Sequence, residues 1–205
     1  MNFSKKNHEL KKINRNIVSK TRILVLLITI GVVLTGNTQN KLDINVSKSE
    51  MKWSGDYTFY FGGHHGNIEF TEGYFIKTNT IISGGEFIID MNSITCLDID
   101  NDQANEGLVN HLKDPDFFDV ANHKTAKLII TRVKYHDTTK MKVYADLTIK
   151  GVTKPVSFQA EVDYESKIMT TKFKIDRMLW GVSYNSKMKD GAISDGIGFE
   201  VKLSL

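Results

Sequence analysis

The segment between residues 142 and 164 constrains the fold most, because apolar and polar residues alternate strictly on both sides of a short turn. In the first arm every second position is apolar: Val143, Ala145, Leu147 and Ile149. A turn at residues 150–155 follows, and the alternation resumes with Val156, Phe158, Ala160, Val162 and Tyr164. Period-two alternation is typical of strands with one face in an apolar interior and the other in water. The segment therefore predicts a β-hairpin in the wall of a half-buried sheet.

The same alternation recurs along the chain and predicts about eight strands. The others are expected at residues 51–54, 57–61, 68–77, 86–91, 125–135, 168–177 and 192–205. Within the third, we expect Ile68, Phe70, Tyr74 and Ile76 to share a face. Short strands separated by Gly-, Asn- and Asp-rich turns favour one all-β domain, either an antiparallel barrel or a sandwich.

One segment, residues 101–119, breaks this rhythm. Ala104, Leu108 and Leu112 have helical spacing, and Pro115 cannot lie inside a helix. A short helix followed by a turn is predicted. It either covers an open barrel end or packs outside the sheet.

Residues 1–38 resemble a secretory signal peptide rather than part of the domain. Seven basic residues precede or border an apolar run at residues 23–34, and small residues follow, which places cleavage near Thr38. An uncleaved anchor is the alternative, although the run is shorter than the roughly 20 residues that a bilayer span needs. Export to the periplasm or beyond is the expectation.

Without the leader the charge changes sign, because the remainder has 27 − 7 = 20 basic and 24 − 1 = 23 acidic residues. No basic stripe supports nucleic-acid binding. No catalytic motif is present, so a non-enzymatic protein is expected. No metal site is expected either, since adjacent His64 and His65 on a strand point to opposite faces. The single Cys96 has no partner for an intramolecular disulfide and is expected to be a buried apolar group.

Two charged residues are predicted on apolar faces. Alternation puts Arg177 on the side of Phe173 and Ile175, and Asp195 on the side of Ile197. Buried charges require partners. An internal salt bridge and a guanidinium that binds an anionic headgroup are both consistent with this placement.

Motifs in order along residues 41–205 resemble the YceI-like, polyisoprenoid-binding family. They are Trp53, His65-Gly66, residues 85–91 (GEFIIDM), 93–95 (SIT), 111–113 (HLK), 116–119 (DFFD), 146–156 (DLTIKGVTKPV), 175–177 (IDR), 180–182 (WGV) and 193–195 (ISD). The hairpin motif is the most distinctive of these. The resemblance implies an eight-stranded, lipocalin-like antiparallel barrel with a short helical segment, exported and preceded by the signal peptide.

The resemblance also implies that a long-chain amphiphile, such as an isoprenoid, occupies the barrel. Face alternation nominates eight lining residues: Phe59, Phe61, Phe70, Phe87, Leu112, Phe118, Phe173 and Phe199. The candidate polar contacts are His65, Arg177 and Asp195. We predict a carrier that meets membranes transiently. An envelope stress or scaffold protein with a filled core, a lipid-modifying enzyme using the same cavity, and a homodimer are the alternatives left open.

Overall fold

The computed structural model describes residues 39–184 and 192–205, which form nine strands and one α-helix. The strands are β1 (Gln39–Asp43), β2 (Glu50–Tyr57), β3 (Gly63–Thr78), β4 (Ile81–Asp90), β5 (Thr125–Tyr135), β6 (Lys140–Ile149), β7 (Val152–Asp163), β8 (Ile168–Asp176) and β9 (Ile193–Ser204). The helix is α1 (Asp102–Lys113), and three short 3₁₀ segments are Val46–Lys48, Met91–Ser93 and Arg177–Trp180. The predicted leader, residues 1–38, lies outside the described part of the chain.

The predicted eight-stranded antiparallel barrel is confirmed. Strands β2 to β9 pair with their neighbours in chain order, and β9 returns to pair with β2. A closed sheet leaves no open edge in the barrel. The connections after β2, β4, β6 and β8 all lie at one end, which we call the helix end because α1 belongs to it.

An additional strand, β1, pairs with residues 74–78 of β3, while β2 pairs with residues 63–68. The long β3 therefore meets two short strands in succession along one side. The intervening 3₁₀ segment, Val46–Lys48, is where the chain passes from one to the other. We predicted two opening strands separated at Gly55-Asp56, which is wrong: β2 runs unbroken from Glu50 to Tyr57, and residues 58–61 form the turn before β3.

The predicted β6–β7 hairpin is present, but its turn is shorter than expected. Only Lys150 and Gly151 connect the strands, with φ angles of 50° and 74°. Two successive positive φ values are typical of the type I′ turn, whose twist suits a tight hairpin. Pro155 therefore lies inside β7, opposite Asp146.

Between β7 and β8 the barrel wall is only partly hydrogen-bonded. The two strands pair over residues 160–163 and 168–171, and the remaining part of each has no ladder partner in the other. Pro155, which has no N–H to donate, lies in this unpaired stretch of β7, where proline is tolerated. Here aromatic rings connect the strands instead. The rings of Phe158 and Phe173 are stacked with their centroids 4.6 Å apart, and the tilted ring of Phe199 on β9 lies 5.3 Å from that of Phe173. We call this region the aromatic seam.

Bulges change which residues face the interior. On β3 one extra residue, Thr71, lies between the pairs Phe70–Ile89 and Glu72–Ile88, and its hydroxyl donates to the Ile88 carbonyl at 3.3 Å. The alternation inverts at this point. Our prediction that Tyr74 and Ile76 share a face with Phe70 is consequently wrong, and Phe75 is the fully buried residue.

The helix α1 contributes to the interior of the barrel rather than packing only outside the sheet. Its N-terminus is capped by Asn101, whose side chain accepts from the Ala104 amide at 2.9 Å. Leu112 is buried, and Phe117 packs below the last turn. In the described residues no helix has the length and apolar character to span a bilayer.

Candidate ligand-binding lumen

The barrel interior is not completely filled. Inward-facing side chains enclose a cavity of about 170 Å³ that is lined almost wholly by apolar groups. It extends from the helix end to Met51, Met169 and Leu203, near the other ends of β2, β8 and β9. An engineered apolar cavity of roughly 150 Å³ stays dry and binds benzene, so this lumen has room for hydrocarbon. Its exposed lining residues, Asp56 and Tyr57, lie where β2 ends, which puts the mouth at the helix end.

Six of the eight predicted lining residues face this lumen: Phe70, Phe87, Leu112, Phe118, Phe173 and Phe199. They come from strands on different sides of the barrel and from the helical segment. Sequence alternation thus finds the wall of the cavity. Their contact with a ligand remains a prediction.

The other two, Phe59 and Phe61, lie outside the lumen, and their assignment to its lining is wrong. They belong to the turn between β2 and β3, with exposed fractions of 75% and 108%. Tyr60 between them is equally exposed. Alternation fails here because β2 ends at Tyr57, so residues 58–61 have no strand geometry to orient them. The turn presents three aromatic side chains to solvent beside the mouth.

Sequence reasoning missed Phe75, which is fully buried and lines the lumen. Its ring lies 5.0 Å from the Phe87 ring in an edge-to-face arrangement. The signal that was missed is Gly73, which pairs with Phe87 and leaves room for the Phe87 ring. A Cβ at position 73 would lie 2.5 Å from Phe87 Cδ1. An isolated glycine in a strand pattern often marks a bulge.

Arg177 is buried, as predicted, and forms part of the lumen wall. Its Nη1 donates to the Val182 carbonyl at 2.7 Å and its Nε donates to the Ser194 carbonyl at 3.1 Å. Its Nη2 contacts Asp195 Oδ1 at 3.4 Å. The guanidinium therefore joins the 3₁₀ segment after β8 to the start of β9. A buried charge with such partners is compatible with a dry interior.

Asp195 meets Arg177 as expected, but it does not face inward. Its side chain is 67% exposed, and it does not line the lumen. The reason is an irregularity at the start of β9, where the pairs Gly55–Ile197 and Tyr57–Ile193 enclose three residues on β9 and one on β2. Strict alternation cannot be extrapolated through it. The Arg177–Asp195 contact is thus partly solvated.

The predicted polar contact His65 points away from the lumen, and its neighbour His64 lines it instead. His64 Nε2 lies 2.6 Å from the Tyr57 hydroxyl, and His64 Nδ1 lies 3.4 Å from Asp98 Oδ1. His65 Nδ1 reaches the other oxygen of Asp98 at 3.4 Å. The two imidazoles do occupy opposite faces of β3, as predicted, yet one carboxylate contacts both.

Residues 94–98 run alongside the start of β3 and carry Cys96 and Asp98. Amides of Thr95 and Leu97 donate to carbonyls of Asn67 and His65 at 3.0 and 2.9 Å. The Cys96 thiol donates to Asp98 Oδ1 at 3.0 Å. Burial and this hydrogen bond raise the pKa of the thiol. Burial also opposes ionisation of Asp98, but hydrogen bonds from Cys96 and from His65 and His64 hold the pKa of that carboxyl below its ordinary value.

Fold and lumen together define a hollow antiparallel barrel with a polar rim. The sequence matches the YceI-like domain family over residues 39–205, and the chain belongs to that family. The resemblance noted from the motifs is thereby confirmed.

Two relatives illustrate the match in sequence. A UPF0312 protein of Vibrio vulnificus is 32% identical over 119 residues, which is 52% of this chain and 62% of that protein. The chain thus spans less than two thirds of that relative's length. A UPF0312 protein of Staphylococcus aureus is 27% identical over 165 residues, or 70% of this chain and 92% of that protein.

Two solved structures illustrate the match in fold. BcnA of Burkholderia cenocepacia superposes with a TM-score of 0.65 at 17% identity, covering 78% of this chain and 98% of that one. A polyisoprenoid binding domain from Saccharophagus degradans, implicated in plant cell wall breakdown, gives 0.55 at 12% identity, covering 81% and 97%. At these identities the likeness shows the barrel fold.

Proposed function

We propose that this protein is an exported carrier that holds one long-chain amphiphile, of the isoprenoid or fatty type, in the lumen of its barrel. The observation that carries the proposal is the unfilled apolar cavity inside a closed barrel, with polar groups gathered at one end. Each buried methylene contributes roughly 0.8 kcal/mol, so a chain is held with few polar contacts. The description of the Saccharophagus domain as polyisoprenoid binding supports this ligand class.

The polar end of such a ligand would lie at the helix end. Tyr57, His64 and Arg177 all line the lumen there. The opposite end on β5, β6 and β7 is filled by side chains such as Met141, Val143 and Val162, which are fully buried and absent from the lumen wall. The apolar tail would enter first. Met51, Met91 and Met169 in the wall are adaptable side chains that repack around a bulkier chain.

Native mass spectrometry of the protein purified from its own host tests the proposal. A co-purified lipid in one-to-one ratio supports the carrier. A clean apo mass favours a scaffold without ligand, and conversion of the bound lipid over time favours an enzyme. Sequencing the N-terminus of the purified protein checks export, since processing near Thr38 is expected.

A matched pair of alanine substitutions locates the ligand within the barrel. Ala126 and Ala145 are both buried, but only Ala126 lines the lumen. We expect Ala126→Leu to fold with little loss of stability, because the cavity takes the extra carbons, and to lower lipid occupancy several-fold. Ala145→Leu enters packed interior, where overpacking costs about 1–3 kcal/mol, and we expect that variant to retain its lipid. Urea unfolding and native mass spectrometry measure the two effects; equal stability losses would contradict an open lumen at Ala126.

The exposed aromatic turn supports exchange of the ligand at a lipid surface. Phe59, Tyr60 and Phe61 project at the end of the barrel where the mouth lies. Aromatic rings partition into the membrane interface. Their position would bring the mouth against the headgroups.

We therefore expect the double substitution Phe59→Ser and Phe61→Ser to slow lipid transfer between vesicles at least tenfold and to weaken vesicle binding. The matched control is Ile81→Ser, which removes an exposed apolar side chain at the opposite end of the barrel. Stopped-flow transfer of a fluorescent lipid measures the rates. Equal rates in the two variants would show that the turn has no part in transfer.

A further inference from the structure

We propose that His64, Cys96 and Asp98 form a binding site for one divalent transition-metal ion of the zinc type, at the rim of the lumen. Each of these residues offers one ligand atom, and the three atoms lie within 4.8 Å of one another. Imidazole, thiolate and carboxylate are the three ligand types that zinc takes in proteins. The site goes beyond lipid binding, and of its three residues only His64 also lines the lumen.

The spacing of the ligand atoms suits tetrahedral coordination. Asp98 Oδ1 lies 3.0 Å from Cys96 Sγ and 3.4 Å from His64 Nδ1, and the sulfur and the imidazole lie within 4.8 Å of each other. Zn–N and Zn–S bonds of about 2.0–2.3 Å place tetrahedral ligands roughly 3.3–3.6 Å apart. Small side-chain movements therefore bring the three atoms onto one ion. A fourth position is left for water or for His65, whose Nδ1 already contacts Asp98.

The backbone that carries the ligands is held in place before any ion binds. Besides the amide bonds to β3, the Asn105 side chain donates to the carbonyls of Cys96 and Ile99 at 3.0 and 3.1 Å. The Trp53 indole donates to the Thr95 carbonyl at 2.9 Å. The rigid segment reduces the entropy that is lost on binding.

A hydrogen bond between Tyr57 and His64 orients the imidazole. In the metal-free protein the hydroxyl is 2.6 Å from His64 Nε2, and Nδ1 faces Asp98. When Nδ1 binds an ion, the imidazole proton is carried by Nε2, whose N–H then donates to the Tyr57 hydroxyl oxygen. The Cys96 thiol releases its proton to solvent as the sulfur binds the ion. Metal-bound histidines almost always have such a partner on their other nitrogen.

The local charge also favours a cation. Within the described residues, the ion-pair partners of Asp98 are His64 and His65, and neither a lysine nor an arginine pairs with it. A second cluster, His111, Asp114 and Asp116, offers no thiolate, and its contact between His111 Nδ1 and Asp114 Oδ2 is 3.9 Å. It provides an internal comparison for the experiment.

The chain's single cysteine makes the test specific. Tag-free protein, treated with chelator and dialysed, is titrated with Co²⁺ as a spectroscopic substitute for Zn²⁺. We expect a thiolate-to-cobalt charge-transfer band that saturates at one equivalent and disappears when Zn²⁺ is added. Because only Cys96 can supply the sulfur, the band identifies it as a ligand.

Variants complete the test. Cys96→Ser should abolish the band, and His64→Ala should weaken cobalt binding at least tenfold, with circular dichroism confirming that both fold. His136→Ala, which removes an imidazole from the turn after β5 at the opposite end, and His111→Ala should bind as the parent does. A titration without the charge-transfer band, or binding that is lost in His111→Ala and kept in Cys96→Ser, would overturn the proposal. Because lipid content is measured separately by native mass spectrometry, failure here leaves the carrier function standing.

Discussion

Replacing Arg177 by methionine is expected to lower the free energy of unfolding by about 2–6 kcal/mol, because two carbonyls lose the guanidinium that donates to them. Methionine keeps much of the volume but donates nothing. The carbonyls of Val182 and Ser194 then lose their partner in a largely apolar setting, and each unsatisfied group costs about 1–3 kcal/mol. Chemical denaturation of the parent and the variant measures the difference.

The matched control is Asp195→Asn. Because the Asp195 side chain is two-thirds exposed, its attraction to Arg177 is screened and is worth less than about 1 kcal/mol. If Asp195→Asn lowered the free energy of unfolding as much as Arg177→Met does, the ion pair, and not the hydrogen bonds to the two carbonyls, would explain what Arg177 contributes to stability. Lipid affinity tests whether the Arg177 guanidinium also binds a headgroup. If folded Arg177→Met protein keeps full affinity for an anionic amphiphile, the guanidinium is not a headgroup contact.

Replacing Gly66 by alanine is expected to destabilise the barrel by about 3 kcal/mol, at the upper end of overpacking costs. A Cβ at this position would clash with the backbone carbonyl of Thr95 and lie 2.8 Å from Trp53 Nε1. Neither neighbour yields easily, since the Thr95 carbonyl accepts the bond from that indole. Residues 94–98 would have to move away from β3. Thermal and chemical unfolding measure the loss.

Gly107→Ala is the control for Gly66→Ala. Gly107 lies in α1, and a Cβ there meets nothing within 4 Å. Removing a helix glycine is expected to stabilise the protein by about 0.5–1 kcal/mol. Similar losses of stability in both variants would show that the close approach of the Thr95 carbonyl does not depend on glycine at position 66. We also expect Gly66→Ala, and not Gly107→Ala, to weaken Co²⁺ binding, because the movement displaces Cys96 and Asp98.

Alternation predicts the barrel well wherever strands are regular. The β6–β7 hairpin shows this, because its ladder runs unbroken from Ile149–Val152 to Lys140–Glu161, and each inward residue follows from the pattern. The six lining residues that were correctly placed also lie on regular stretches or on the helical segment. Where backbone pairing is continuous, the side-chain period alone determines the face.

Most of the predictions that failed lie next to irregular backbone; His65 is an exception, because it lies on a regular part of β3 but on the face away from the lumen. Phe75 follows the bulge at Thr71, Asp195 lies in the irregular start of β9, and Phe59 and Phe61 follow the end of β2. One inserted residue reverses every later face in a strand, and a residue pattern without pairing partners does not show it. The cluster of His64, Cys96 and Asp98 was missed for another reason: it joins segments more than 30 positions apart, which only the folded chain brings together.

The aromatic seam between β7 and β8 has a mechanical consequence. Elsewhere in the wall, increasing the circumference breaks rungs of backbone hydrogen bonds, whereas here it separates rings whose stacking is worth roughly 0.5–1.5 kcal/mol per pair. The seam is thus the compliant part of an otherwise stiff tube. A ligand thicker than the lumen would widen the wall there by separating the rings of Phe158 and Phe173. The rings would stack again when the ligand leaves.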